Sequence, residues 1–450
     1  MTEVYSKDQI VMIDSSFRSI FKISIPILLT ALSINLMFFV DRVILAAYSE
    51  QAMYAVIVSG NFVSVFAWML MGVANTSEVF VGQFNGSRQY DKLAIPVWQM
   101  IYMSIMSIGF FLPIAYFSEY INILPDYALE DGLDYQKILF YFGFLPVLVA
   151  SLSAFFIGQG KAGIVTATVI AGNIINALMD YVFIFTLHYG TKGAAMGTVV
   201  SNGLQVLVLA CVFLNKKNRL SFKTLENFSF NKSMFASCFK VGIPLSISNF
   251  FTILSWALVI SIIGQASKEL GIIWGFASAV YMLISFFAEG LNKAIAAITS
   301  NMIGKRDLES IRLVYKRFLF FLVVFCLLLA IPLVFVPDIV LKIFNIGNDL
   351  SEIRDQSVAA LRLSLAALLL ESAEYITWGV LLAGGDTKYP TLVSQICLWG
   401  LVVMPTALLF YTGKLTSVIT IYFFMILSFT ISLILFYMRY KSLKWYKNLV

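Results

Sequence analysis

Residues 172–185 read GNIINALMDYVFIF. They lie inside a long apolar run, yet Asn176 and Asp180 are polar and four apart, so a helix places them on one face, one turn from each other. A carboxylate in the hydrocarbon of a bilayer costs at least ~2.5 kcal/mol. It is retained where it faces protein or water, usually where ions or protons are handled. The competing explanation is a structural pair that hydrogen-bonds a neighbouring helix.

Composition makes this run a membrane span. The chain has 450 residues, 60% hydrophobic and 12% charged, where soluble domains carry about 25% charge. A soluble fold of this length could not hide so much apolar surface. The apolar runs suit helices crossing ~30 Å of hydrocarbon, and the period-2 segments of an outer-membrane barrel are absent. We read twelve spans, near 17–46, 52–82, 92–117, 136–157, 162–186, 192–214, 235–263, 270–302, 310–336, 356–384, 388–411 and 416–438.

The net charge of +6 sits in loops, so it reports topology rather than nucleic acid. One set of loops is basic, with Lys7, Arg18 and Lys22 at the start, Lys216 to Lys232 midway, and Arg439 to Lys447 at the end. The opposite set is poor in base, and its 118–135 loop carries Glu119, Asp126, Glu130, Asp131 and Asp134. The positive-inside rule places both termini in the cytoplasm, which an even number of spans satisfies. Residues 1–16 contain Glu3, Asp8 and Asp14 and lack a short apolar core with a cleavage site, so no signal peptide is expected. The expected location is a bacterial inner membrane. Cys211, Cys238, Cys326 and Cys397 have no short spacing and read as small hydrophobes, not a disulfide framework or zinc site.

The halves are copies. A shift of 218 residues lays Ile25-Pro26 on Ile243-Pro244, Gly72 on Gly290, Gly86 on Gly304 and Arg88 on Arg306. Farther on, a shift near 225 lays Gly160 on Gly385. Each copy starts on the basic side and holds six spans, so the copies are parallel repeats about an axis along the membrane normal, a transporter pattern. The expected division is 1–214 for the first lobe, 215–233 for a cytoplasmic linker and 234–450 for the second lobe. Pro26 and Pro244 interrupt their first helices and mark candidate hinges.

The copies differ where the polar residues fall. Asp41 lies on Val259, and the segment facing Asn176 and Asp180 is ICLWGLVVMPTALLF, residues 396–410, with no acid or amide. The polar groups were therefore not needed for the fold of the second copy. Counting at 1.5 Å per residue, Asp41, Asp180 and Thr198 all lie roughly 8–9 Å below the outer surface, with Asn176 one turn deeper. Two carboxylates, an amide and a hydroxyl at one level can coordinate a hard cation or share a proton. Two close carboxylates do not both ionise cheaply, so the pair suits proton coupling.

Other intramembrane charges have less decided readings. Glu371 and Glu374, three apart, form a second candidate coupling or substrate site, or else a packing pair. Glu289 and Lys293, four apart, read as an internal ion pair. Glu78 lies towards the inner end of the second span, and Arg42 is expected to snorkel to the outer interface. Gly193 and Gly197 form a GxxxG read as close helix packing. The Walker motif, GxSxG, CxxC and HExxH are absent from the sequence. No enzymatic activity, ATP use or cofactor is expected; the coupling ion would be a proton or sodium.

The order of Pro26, Asp41, Gln83 and Gly86 in GQFNG, Asn176, Asp180, the GAAMGT run ending in Thr198, and GGDT at 384–387 resembles the multidrug and toxic compound extrusion (MATE) family. The resemblance implies two six-helix bundles facing each other across a cleft. It implies cation binding through Asp41, Asn176, Asp180 and Thr198, and antiport of organic, often cationic, compounds. Phe250-Phe251-Thr252 lacks the acid of the NorM-like branch, while Glu371 keeps a carboxylate eight residues before Gly379; the complete first-lobe set favours the DinF-like branch. The expected partners are small organic cations and membrane lipid, with no nucleic acid, and the expected state is a monomer. The alternative cargo is a lipid-linked precursor, moved by a flippase, which calls for a strongly basic cavity; Lys293 is the main mid-membrane base. An intramembrane enzyme has no motif behind it.

Overall fold

The structure is a computed structural model that describes residues 13–120, 128–343 and 351–450. Glu3, Lys7, Asp8 and Asp126 lie outside the described residues. The chain folds into long helices: α1 Phe17–Tyr48, α2 Glu50–Gly86, α3 Tyr90–Tyr120, α4 Leu129–Gly158, α5 Ala162–Thr186 and α6 Gly190–Phe213 in the first copy. The second has α7 Lys232–Ala266, α8 Lys268–Lys305, α9 Leu308–Phe335, α10 Ser351–Ala383, α11 Lys388–Tyr411 and α12 Val418–Lys441. Among the described residues, eleven are long and apolar enough to span a bilayer, and α4 makes twelve when its two halves, bent by 43°, count as one. The expected all-α polytopic fold is what the chain adopts.

The fourth span departs from expectation. Its helix starts at Leu129 rather than 136, so Glu130 and Asp131 stand in a first turn instead of a loop. Carboxylates there complement the positive helix end and the unpaired N–H groups. The bend falls at Phe142-Gly143, where a side chain on Gly143 would come within 2.9 Å of the Phe111 ring.

The repeat is visible in the backbone. The α1–α2 turn is the single residue Ser49 (φ −164°, ψ 132°), and the α7–α8 turn is Ser267 (φ −163°, ψ 146°). Each serine caps the helix that follows it. Arg88 and Arg306 share a left-handed φ of 60° and 62°, and Gly160 and Gly385 share one of 75° and 72°.

The lobes meet at the basic end, and the contact is reciprocal, as a two-fold interface requires. Gly290 on α8 packs so tightly on α1 that a Cβ would lie 2.6 Å from the Leu28 side chain; its counterpart Gly72 on α2 packs on Ser246 of α7 at 3.3 Å. At the helix ends, a Cβ on Gly86 would lie 1.9 Å from the Asn301 carbonyl oxygen, and one on Gly304 would lie 2.1 Å from that of Gln83. The matched glycines of the two copies thus permit backbone-to-backbone contact between lobes. Ile23, Ile27 and Leu28 of α1 share one buried cluster with Phe287, Leu291 and Ile295 of α8.

Two further segments fasten this end. Residues 215–233 are not a loose connection: they contain the short helix Lys216–Phe222, and the stretch after it docks on α3. There Trp98 donates to the Thr224 carbonyl (2.6 Å) and Gln99 to that of Ser229 (3.1 Å). The C-terminal stretch folds under both lobes. Leu449 N–H donates to Gln83 Oε1 (2.7 Å), while Gln83 Nε2 donates to the Ala383 carbonyl (2.8 Å). The turn between α10 and α11 is clamped by Arg439, whose Nε donates to Asp386 Oδ2 (2.7 Å).

Candidate functional site

Helices α1 and α5 run side by side in the first lobe, stitched at three levels. Nearest the basic end, Thr166 donates to the Pro26 carbonyl (2.7 Å) and sits 2.9 Å from the Thr30 hydroxyl. Next, Asn173 donates to the Ser33 carbonyl (3.0 Å) and hydroxyl (2.7 Å). At the top, the Asp180 carboxylate lies within hydrogen-bonding reach of Asp41. Thr166, Asn173 and Asp180 are seven apart, the spacing that keeps residues on one seam between nearly parallel helices.

The top level holds the residues the sequence singled out. Asn176 Nδ2 donates to Asp180 Oδ1 (3.2 Å). Asn176 and Asp180 are almost fully buried, while Asp41 is half-buried. Asp41 Oδ1 and Asn176 Oδ1 are buried yet accept no hydrogen bond from the described residues. Thr198 on α6 bonds back to the Ala194 carbonyl (3.2 Å) and lines one cavity with Asp41 and Asn176. The structure therefore brings Asp41, Asn176, Asp180 and Thr198 together. Directly after Asp180, residues Val182–Thr186 form a π-helical turn, a local widening frequent at functional sites.

Two residues complete this corner that the sequence reading did not assign to the site. A Cβ on Gly197 would lie 2.0 Å from Asp180 Oδ1, so the glycine makes room for the carboxylate. The GxxxG motif divides its work: Gly193 lets α6 approach the Phe183 backbone, and Gly197 accommodates Asp180. Tyr135 on α4 is near enough to Asp41 and Asp180 to feel both charges, and it lines the same cavity. Nothing in linear sequence links it to them.

The cavity measures about 300 Å³ and is walled almost wholly by the first lobe, with Met282 of α8 contributed by the second. Its wall mixes Phe38, Trp68 and Phe142 with Asn61, Asn202 and Gln205. Arg42 is also among the residues that line it.

The second-lobe acids are arranged differently. Glu371 accepts from the Tyr281 hydroxyl (2.7 Å), and Glu374 is buried beside Ser432 of α12. Neither lines the first-lobe cavity. The expected Glu289–Lys293 ion pair is not formed within 4 Å among the described residues. Both side chains are exposed, and Lys293 acts electrostatically on buried Glu78 of the opposite lobe as well as on Glu289. Pro244 lies inside α7, as Pro26 lies inside α1, with both helices continuous through them.

Eleven to twelve membrane-length helices among the described residues, in two lobes that meet at one end, with a largely apolar cavity in the first lobe that includes Asp41, Asn176 and Thr198, are the architecture of a membrane transporter. The MatE family model matches residues 26–182 and 244–409, one segment in each copy, starting at the two repeat-related prolines. The chain belongs to this family of multidrug efflux transporters. Among curated relatives, it is 24% identical to the uncharacterized transporter YisQ of Bacillus subtilis, covering 96% of this chain and 95% of that protein. It is 25% identical to the multidrug export protein MepA of Staphylococcus aureus over 79% of this chain and 80% of that one. Among solved structures, a MATE protein in the straight conformation superposes with a TM-score of 0.85 at 19% identity, covering 96% of this chain and 97% of that one.

Proposed function

We propose that the chain is a cation-coupled antiporter that exports organic compounds, with organic cations the first expected class, by alternating access. The observation behind this is the pair Asp41–Asp180, whose surroundings leave two buried oxygens, Asp41 Oδ1 and Asn176 Oδ1, without a hydrogen-bond donor. Buried polar atoms are normally satisfied. A set of carboxylate, amide and hydroxyl oxygens with lone pairs to spare suits a proton or sodium ion as the transported coupling ion.

Coupling runs through α1. A proton or cation at Asp41 and Asp180 changes how tightly the top of α1 is held to α5. Pro26 leaves one backbone bond of α1 unmade, and its carbonyl is held by Thr166, so α1 has a place to bend below the cation site. Pro244 is the matching hinge of the second lobe. A bend there reshapes the cavity, and because occupancy shifts conformation only through differential affinity, cation and cargo affect each other's binding equally. Glu371 and Glu374 serve in this reading as a second coupling or substrate site. The protein works as a monomer in a bacterial inner membrane, both termini cytoplasmic, in the DinF-like branch.

In everted vesicles, Asp41→Asn and Asp180→Asn should each abolish ion-driven uptake of a fluorescent cationic dye while the protein remains folded and inserted. Full activity in both variants overturns the reading. Measuring the wild type against pH at fixed sodium, then against sodium at fixed pH, identifies the ion. The flippase alternative calls for several bases at the cavity, whereas its wall includes one, Arg42.

A further inference from the structure

We infer that residues 443–450, the stretch after α12, are a strap that holds the two lobes shut at the basic end and must release the first lobe before that end opens. This rests on the antiporter reading, because alternating access opens each end once per cycle.

The interface at the basic end is built twice. The shift of 218 residues matches Gln83 with Asn301, and the shift of 225 matches Gly158 with Ala383. Gln83 Nε2 of the first lobe donates to the Ala383 carbonyl of the second (2.8 Å), and Asn301 Nδ2 of the second donates to the Gly158 carbonyl of the first (2.8 Å). The oxygens of the two amides are used differently. Asn301 Oδ1 accepts from the Asn85 side chain (2.7 Å), whereas Gln83 Oε1 accepts from the Leu449 backbone N–H (2.7 Å). One of the two repeat-matched contacts is thus completed by the strap.

The strap is anchored on the second lobe and reaches the first. It turns back at Leu443, whose φ of 55° is left-handed and uncommon for a bulky residue. Such a conformation persists where the surroundings over-determine it. Trp445 supplies that constraint: it is fully buried, stacks on Tyr440 at 5.8 Å and donates from Nε1 to the Tyr440 carbonyl (2.9 Å). Four residues on, Leu449 lies over Gly385, where a Cβ would come within 2.9 Å of Leu449 Cδ1. Leu449 and Val450 also pack against a buried cluster that includes Val73, Phe80 and Met100 of the first lobe. The matched Gly160 is covered in the same way by Ile13, just before α1, whose carbonyl accepts from Lys305 of the second lobe. Each lobe therefore sends one flanking segment across to the other.

Separating Gln83 from Ala383 breaks the Leu449 hydrogen bond as well, or else pulls the strap off its Trp445 anchor. Releasing Leu449 leaves an amide oxygen without its donor and uncovers aliphatic surface, and both disfavour the open state.

The test measures opening directly, with no cargo and no ion gradient. Spin labels at Asp91→Cys and Glu309→Cys, exposed and repeat-matched positions at the basic end, one on each lobe, report the distance between lobes by double electron–electron resonance. The protein is full-length, in lipid nanodiscs, with Cys211→Ser and Cys238→Ala to avoid stray labelling. Leu449→Pro lacks the N–H and should raise the population at the longer distance about tenfold over wild type, the size of one lost hydrogen bond with its packing. Leu449→Ala keeps the N–H, loses only packing and should give a smaller rise; it carries the test if Leu449→Pro folds poorly. A distance distribution unchanged from wild type in the folded variants overturns the inference, as does lower thermal stability with the closed distance alone. The antiporter reading fails separately, through ion-driven uptake that survives Asp41→Asn and Asp180→Asn.

Discussion

The α1–α5 seam of the first lobe and the α7–α11 seam of the second descend from the same stretch of sequence and hold together by different physics. In the first, polar contacts climb from Pro26–Thr166 through Ser33–Asn173 to Asp41–Asp180. In the second, the middle level survives as Gln395, which donates to the hydroxyls of Ser248 (3.0 Å) and Thr252 (2.9 Å). Above it Phe251 packs edge-on against Trp399 at 6.1 Å. At the level of the acids, Val259, Val402 and Val403 are buried in one apolar cluster. A six-helix lobe packs well with an apolar top level, so the carboxylates of the first lobe answer a demand other than packing.

The largest effect should come from making the second seam imitate the first. Val259→Asp buries an acid in a cluster with no amide or partner acid to receive it. Intramembrane acids cost ~2.5–3.5 kcal/mol by insertion scales, so thermal stability in detergent should fall by several kcal/mol's worth and yield should drop. A variant as stable as wild type would mean that this level is wet in both lobes, and the contrast would collapse.

Gly197→Ala probes the first seam from behind. The added Cβ lies 2.0 Å from Asp180 Oδ1, so the carboxylate must move. Ion-driven dye uptake should fall tenfold or more, about 1.4 kcal/mol of lost function, with stability little changed. Gly203→Ala on the same helix, with nothing within 4 Å of its Cβ, should transport normally. Equal activity in both would show that Asp180 need not sit where it does.

The finest comparison is Asn173→Leu against Gln395→Leu. Each removes a side chain that bridges the two helices of its lobe. Each should cost a similar ~1–2 kcal/mol, since net hydrogen bonds are worth ~0.5–1.5 kcal/mol apiece. Heating in detergent followed by size-exclusion chromatography reads this loss. Transport should separate them: Asn173→Leu sits one turn below Asn176 and should impair uptake more. The reverse order would place the coupling path in the second lobe.

Much of this was legible in the chain. The shift of 218 residues predicts the paired turns at Ser49 and Ser267 and the paired left-handed residues Arg88 and Arg306, because equal local sequence folds equally. It also singled out Gly72, Gly86, Gly290 and Gly304, though not their use. A repeat shows that a position matters twice, whereas only the packed lobes show which carbonyl the missing Cβ makes room for. Asp41, Asn176, Asp180 and Thr198 stood out because an acid or amide in an apolar run is costly anywhere, a property of the residue and its span.

What the tertiary structure alone decided is which side each group faces and what it meets. Thr166 and Asn173 are ordinary polar residues until α1 lies against α5. Gly197 reads as helix packing until Asp180 occupies its missing side chain. Glu289 and Lys293 have the spacing of an ion pair, yet both are exposed and no such pair forms within 4 Å among the described residues. Hydrophobicity and periodicity act along one helix, and so the sequence carries them. Orientation between helices is settled by contacts distant in the chain, and those exist only once the lobes have closed.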